Sequence, residues 1–145
     1  MKLLAACLLA HALLAQVVPS PWWVPDITLV GLILSVTRAP SRWLLVSWVA
    51  GFSMLLWTIR HAVPLMAGTL AVGGIVRLLA RNWDATDARV QYLVVGLAGC
   101  LMTFGAMWLD GCWSLPLLGL AVIHVALTCL VFAGVRRWLI PGGAW

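Results

Sequence analysis

Long apolar runs separated by short polar breaks set the pattern of this chain. The runs cover residues 3–19, 24–37, 43–59, 62–80, 90–109 and 115–135. The breaks are Pro19-Ser20-Pro21, the Ala39-Pro40 turn between Arg38 and Arg42, Arg60-His61, a polar loop at 81–89, and Asp110-Gly111-Cys112-Trp113-Ser114. A helix that crosses a bilayer needs roughly 20 residues, with a range of about 17–25. Five runs reach that length. The second is shorter and is expected to be tilted or set off-centre. Lipid offers the backbone no hydrogen-bond partner, so helix is the expected element. The alternation of a barrel strand is absent. The pattern therefore predicts an all-α polytopic membrane helix bundle, a single domain over 1–145 with six transmembrane helices.

The stretch from Pro21 to Arg38 organises this prediction. Trp22 and Trp23 suit the lipid–water interface. Pro25-Asp26 opens the second run, where the Asp26 carboxylate can accept from free N–H groups of the first turn. Arg38 closes the run. The other helices are expected to pack beside this one. Pro64 falls in the first turn of the fourth helix, where proline is tolerated. Asp87 is the expected N-cap of the fifth. Met1-Lys2 followed by the run to Ala15 has the shape of a signal peptide, with Leu13-Leu14-Ala15 as a cleavage site. It is read here as a retained first span.

Composition sharpens the membrane reading. The chain has 145 residues, 64% hydrophobic and 9% charged, with ten Trp, one Lys and no Glu; mean hydropathy is +1.08. A soluble domain carries about 25% charged residues, so this chain cannot dress a water-facing surface. Net charge is +5. Topology accounts for it better than nucleic acid does, because the cations lie between apolar runs with no basic face and exposed aromatics. With the N-terminus inside, Lys2, Arg38, Arg42, Arg77, Arg81, Arg89, Arg136 and Arg137 are cytoplasmic, eight of the nine basic residues. Arg60 alone falls outside. Both termini are then cytoplasmic. The Arg-rich inner edge would attract anionic lipid or an acidic partner.

Candidate chemistry is sparse. His11 and His124 lie near the middle of their runs and His61 at a turn. A histidine pair could hold haem or a pigment, but hydrogen bonding within the bundle is the simpler reading. Asp26 and Asp110 read as an N-cap and a turn residue. Gln16 precedes the break at Pro19, where it can bond a freed carbonyl or a neighbouring helix. Arg77 can snorkel to the inner surface. Cys7, Cys100, Cys112 and Cys129 read as small apolar core residues rather than a disulfide framework. Gly68, Gly73, Gly74, Gly96 and Gly99 mark places where helix backbones can approach closely. There is no phosphate loop, zinc spacing or nucleophile elbow. An enzyme is not expected, nor a cofactor or metal.

An ordered set of short features resembles the MreD family of bacterial rod shape-determining membrane proteins. Gln16 stands near the outer end of the first helix, and Pro25-Asp26 opens a Leu/Ile/Val-rich second. A turn with Ala39-Pro40 and Arg42 follows, then Gly51-Phe52 in the third helix, six spans in all, and a basic end. Two departures mark a divergent member. Met54-Leu55-Leu56-Trp57-Thr58 lacks the acid common after Gly-Phe, and Arg60-His61-Ala62-Val63-Pro64 replaces a Gly-rich turn. The resemblance implies a non-enzymatic inner-membrane scaffold of the cell-elongation, peptidoglycan-synthesising machinery. Its implied partners are an MreC-like bitopic protein, a RodA-type glycosyltransferase with a transpeptidase, and actin-like MreB. It also implies a fold like the substrate-binding subunits of energy-coupling-factor transporters. Gln16, Pro25, Asp26, Gly51, Phe52, Gly68, Gly73 and Gly74 are the docking candidates. The rival readings are a vitamin-transporter subunit, marked by a polar outward pocket, and an accessory subunit of a pigment or haem complex.

Overall fold

The computed structural model describes residues 2–55, 61–82, 87–111 and 113–139. Outside them lie Leu56, Trp57, Thr58 and Arg60 of the departures, Asp84 of the polar loop, Cys112, and the tail from Pro141 to Trp145. Among the described residues all regular structure is helical: α1 (Lys2–Val17), α2 (Ile27–Arg38), α3 (Trp43–Leu55), α4 (Ala62–Asn82), α5 (Ala88–Asp110) and α6 (Leu115–Leu139). Two single 3-10 turns, Pro21–Trp23 and Pro40–Arg42, lead into α2 and α3. The all-α expectation holds. The helices α4, α5 and α6 are each long and apolar enough to cross a membrane. Their surfaces are inverted relative to a soluble bundle, with Val63, Leu97, Trp108, Leu115, Leu130 and Trp138 all exposed. These lengths and surfaces suit a membrane protein.

The short second helix is the hub. All ten residues from Ile27 to Val36 are buried, and α2 packs against α1, α3, α4, α5 and α6. That agrees with its place as organiser. Its twelve residues span only about 18 Å at 1.5 Å per residue. Burial rather than length accounts for it. A helix enclosed by other helices can be uniformly apolar and still stop short of the lipid surface. The core around it joins Leu4, Leu29, Leu32, Ile33, Val46, Val72, Val95 and Phe132.

Helix ends follow local chemistry. The Asp26 carboxylate accepts from Leu29 N at 2.9 Å and Asp87 from Arg89 N at 2.9 Å, the capping expected of both. Arg38 closes α2 as read. The helix α5 ends on Gly111, whose φ of 64° is the left-handed value glycine adopts without a Cβ penalty. Several buried and half-buried hydroxyls turn back on their own helices. Thr37 donates to the Ile33 carbonyl, Ser53 to Ala50 and Thr69 to Met66, which satisfies them without a partner from another helix.

Close packing rests on specific glycines. A Cβ on Gly31 would lie 2.7 Å from Cys7 Cβ, and one on Gly73 would collide with Ser47 Oγ. Inside lipid there is little hydrophobic drive between helices, so such van der Waals contact carries association. Gly31→Val is expected to lower stability by about 1–3 kcal/mol through overpacking. Gly96→Ala, which meets open space, is the control expected within about 0.5 kcal/mol of wild type. Thermal unfolding in mild detergent measures both.

Candidate functional site

Three arrangements bring polar or small residues together from distant parts of the chain. The first surrounds the start of α2. Asp26 N donates to Thr128 Oγ1 at 2.9 Å, and Thr128 Oγ1 donates to the His124 carbonyl at 3.0 Å. The hydroxyl thus stitches the start of α2 to the middle of α6. His11 from α1 and His124 from α6 both lie within electrostatic reach of the Asp26 carboxylate. Trp22 sets its ring edge-on to His124, centroids 6.5 Å apart. The sequence marks Asp26 as an N-cap and a docking candidate; the fold sets it where α1, α2 and α6 meet. Among the described residues, no group of three or more His, Cys, Asp or Glu stands where it could hold a metal ion.

The second is a pair at the opposite termini of α4 and α5. His61 Nε2 lies 2.7 Å from Asp110 Oδ1. The sequence places His61 at a turn and Asp110 in another. The structure joins them across 49 residues, a separation at which no local pattern announces a pair.

The third is a trough. The helices α4 and α5 touch each other only sparsely. Next to the His61–Asp110 pair they leave a cavity of about 530 Å³, whose walls include Ala67, Gly68, Ala71, Gly105 and Ala106. A second cavity of about 300 Å³ continues along the same two helices through Leu101 to Leu79 and Val90. From His61 to Leu79 the trough is roughly 27 Å long at the rise of a helix. Its floor and walls are apolar, with small side chains at the His61 end.

The docking candidates divide by the face they present. Gly51 abuts Met66 and Thr69, Gly73 abuts Ser47, and Gly74 abuts Trp43; all three serve the α3–α4 contact inside the bundle. Gly68 sits against Met102 in the trough wall. Phe52 is exposed and stacked on Trp48, ring centroids 5.5 Å apart. Gln16 is exposed at the end of α1 and Pro25 is half-buried beside Asp26. The structure therefore does not gather the eight into one site. Gly105 and Ala106 were missed, because glycine and alanine content alone does not say which face of a helix they occupy.

At the opposite end of the bundle, Arg136 Nε donates to the buried Gln91 Oε1 at 2.9 Å, tying the end of α6 to the start of α5. Arg77 places its guanidinium 5.4 Å from the centroid of the Trp43 ring, a cation–π contact.

Asp26→Leu is expected to cost about 0.5–2 kcal/mol through the lost cap, and Asp26→Asn to keep most of that stability. Thermal unfolding of the two variants side by side checks the difference. Compared with known proteins, the chain matches no family model, no curated protein and no solved structure.

Proposed function

We propose that this chain is a non-enzymatic membrane scaffold that docks the single transmembrane helix of a bitopic partner in the trough between α4 and α5. The trough carries the proposal. It is about as long as a spanning helix, mostly apolar, and lined at the His61 end by small side chains that let a second backbone approach closely. The His61–Asp110 pair marks its end with the only polar side chains among the described residues of the wall.

The same reading includes six spans with both termini cytoplasmic. Geometry supports it. Lys2, Arg38 and Arg42 line one cavity, Arg77 stacks on Trp43 at the start of α3, and Arg136 meets Gln91 at the start of α5. Helix ends assigned to the inner side thus lie beside one another. The MreD-like motif order then supplies the setting: a bacterial inner membrane, an MreC-like partner, and the wall-synthesis machinery linked to MreB filaments. That setting rests on Gln16, Pro25-Asp26, Ala39-Pro40-Arg42 and Gly51-Phe52.

Gly105 has open space around it, so Gly105→Leu fills the trough without disturbing the bundle. Recovery of the partner from membranes in mild detergent is expected to fall about tenfold, the effect of roughly 1.4 kcal/mol, with thermal stability within about 0.5 kcal/mol of wild type. Unchanged recovery of every co-purifying protein would rule out the trough as the dock, and loss of bound lipid alone would identify an acyl chain as its occupant. Reporter tags on the two termini are expected to give the same, cytoplasmic, side.

A further inference from the structure

A cavity of about 290 Å³ opens where α1 begins, α2 ends and α3 begins. Its walls carry Lys2, Arg38, Arg42 and Ser35, with Leu3 and Val46 behind them. Three cations from three segments converge there, and among the described residues no acid lines it. Of the described acids, Asp26 caps the far end of α2, Asp87 caps α5, and Asp110 pairs with His61. The volume is near the lower end of small-ligand pockets.

A second, independent feature sits at the base. Ser35 is only 7% exposed, and its Oγ has no hydrogen-bond partner. Thr37, Ser53, Thr69 and Thr128 all donate to a carbonyl three or four residues back. Ser35 does not, although its helix offers the same carbonyls. A buried hydroxyl left unbonded is costly, and here it lines a basic cavity. Ser47 is also unbonded, but it faces Gly73 within the α3–α4 contact.

We propose that this cavity binds a phosphate group, supplied by the headgroup of an anionic phospholipid. Arg38 and Arg42 present planar guanidinium donors suited to phosphate oxygens. Lys2 adds a mobile charge at the mouth. Ser35 donates to the deepest oxygen, and Leu3 and Val46 meet the first carbons below the headgroup. Basic pockets between helices at the inner leaflet are a known physical setting for such headgroups. The site is independent of the partner trough, which lies between other helices.

Native mass spectrometry of the full chain in mild detergent tests it, with phosphatidylglycerol, phosphatidylcholine and inorganic phosphate as the three probes. Wild type is expected to retain phosphatidylglycerol over phosphatidylcholine by about tenfold. Arg38→Gln with Arg42→Gln removes that preference, and Ser35→Ala reduces it with no change in charge. Arg81→Gln with Arg137→Gln removes the same charge elsewhere and is expected to leave it intact. Where the double site variant does not fold, Arg42→Gln alone, on the surface, carries the comparison. Saturable retention of inorganic phosphate, with no preference among lipids, would assign the same site to free phosphate. Equal losses in the two double variants, or no selective retention of either phosphate source by wild type, would overturn the proposal.

Discussion

Everything else in this bundle depends on enclosing one short helix. At twelve residues the helix α2 is by itself shorter than a bilayer core of about 30 Å, and its flanks from Ile27 to Val36 are buried in protein. Its end groups must find partners within the fold, since an unmet backbone donor in a low-dielectric interior is expensive. The Asp26 carboxylate takes the Leu29 amide, Thr128 takes the Asp26 amide, and the Ala39 amide closes on the Ser35 carbonyl at 3.1 Å. With its ends settled, α2 offers an apolar cylinder on which the other five helices pack.

That arrangement separates two uses of small residues. Gly31 and Gly73 are spent on contacts inside the bundle, where a methyl group would collide with Cys7 or Ser47. Ala67, Ala71, Gly105 and Ala106 line a trough that the chain leaves unfilled. The first set holds the bundle together, and the second lines the proposed dock. The polar residues divide in the same way. Gln91 and Arg136 bond each other, Thr128 bonds the start of α2, and Ser35 turns to a basic cavity.

What the sequence disclosed was the local part. Pro25-Asp26 before an apolar run announces a cap, Asp87 announces another, and Asp110-Gly111 announces a turn, because each is decided within one helical turn of backbone. Helix limits differed by a few residues. The second began at Ile27 after a 3-10 turn at Trp22-Trp23, and the sixth ran on to Leu139 through Arg136 and Arg137. The non-local part was illegible. His61 meets Asp110 across 49 residues and Asp26 meets Thr128 across 102, and no periodicity encodes such pairs. Nor could composition separate the inward Gly73 from the outward Gly105, since in lipid both faces of a helix are apolar.

The Thr128 stitch also bears on how the molecule is made. A polytopic chain enters the membrane from its N-terminal end, so α2 is in place well before the hydroxyl that receives the Asp26 amide has been synthesised. Until α6 arrives, that amide must be served by interfacial water or a lipid carbonyl. The hub therefore matures after insertion, and the last helix acts as its latch. A ribosome that stalls before α6 would leave four helices around an unlatched hub, with the Asp26 amide still turned to water or lipid.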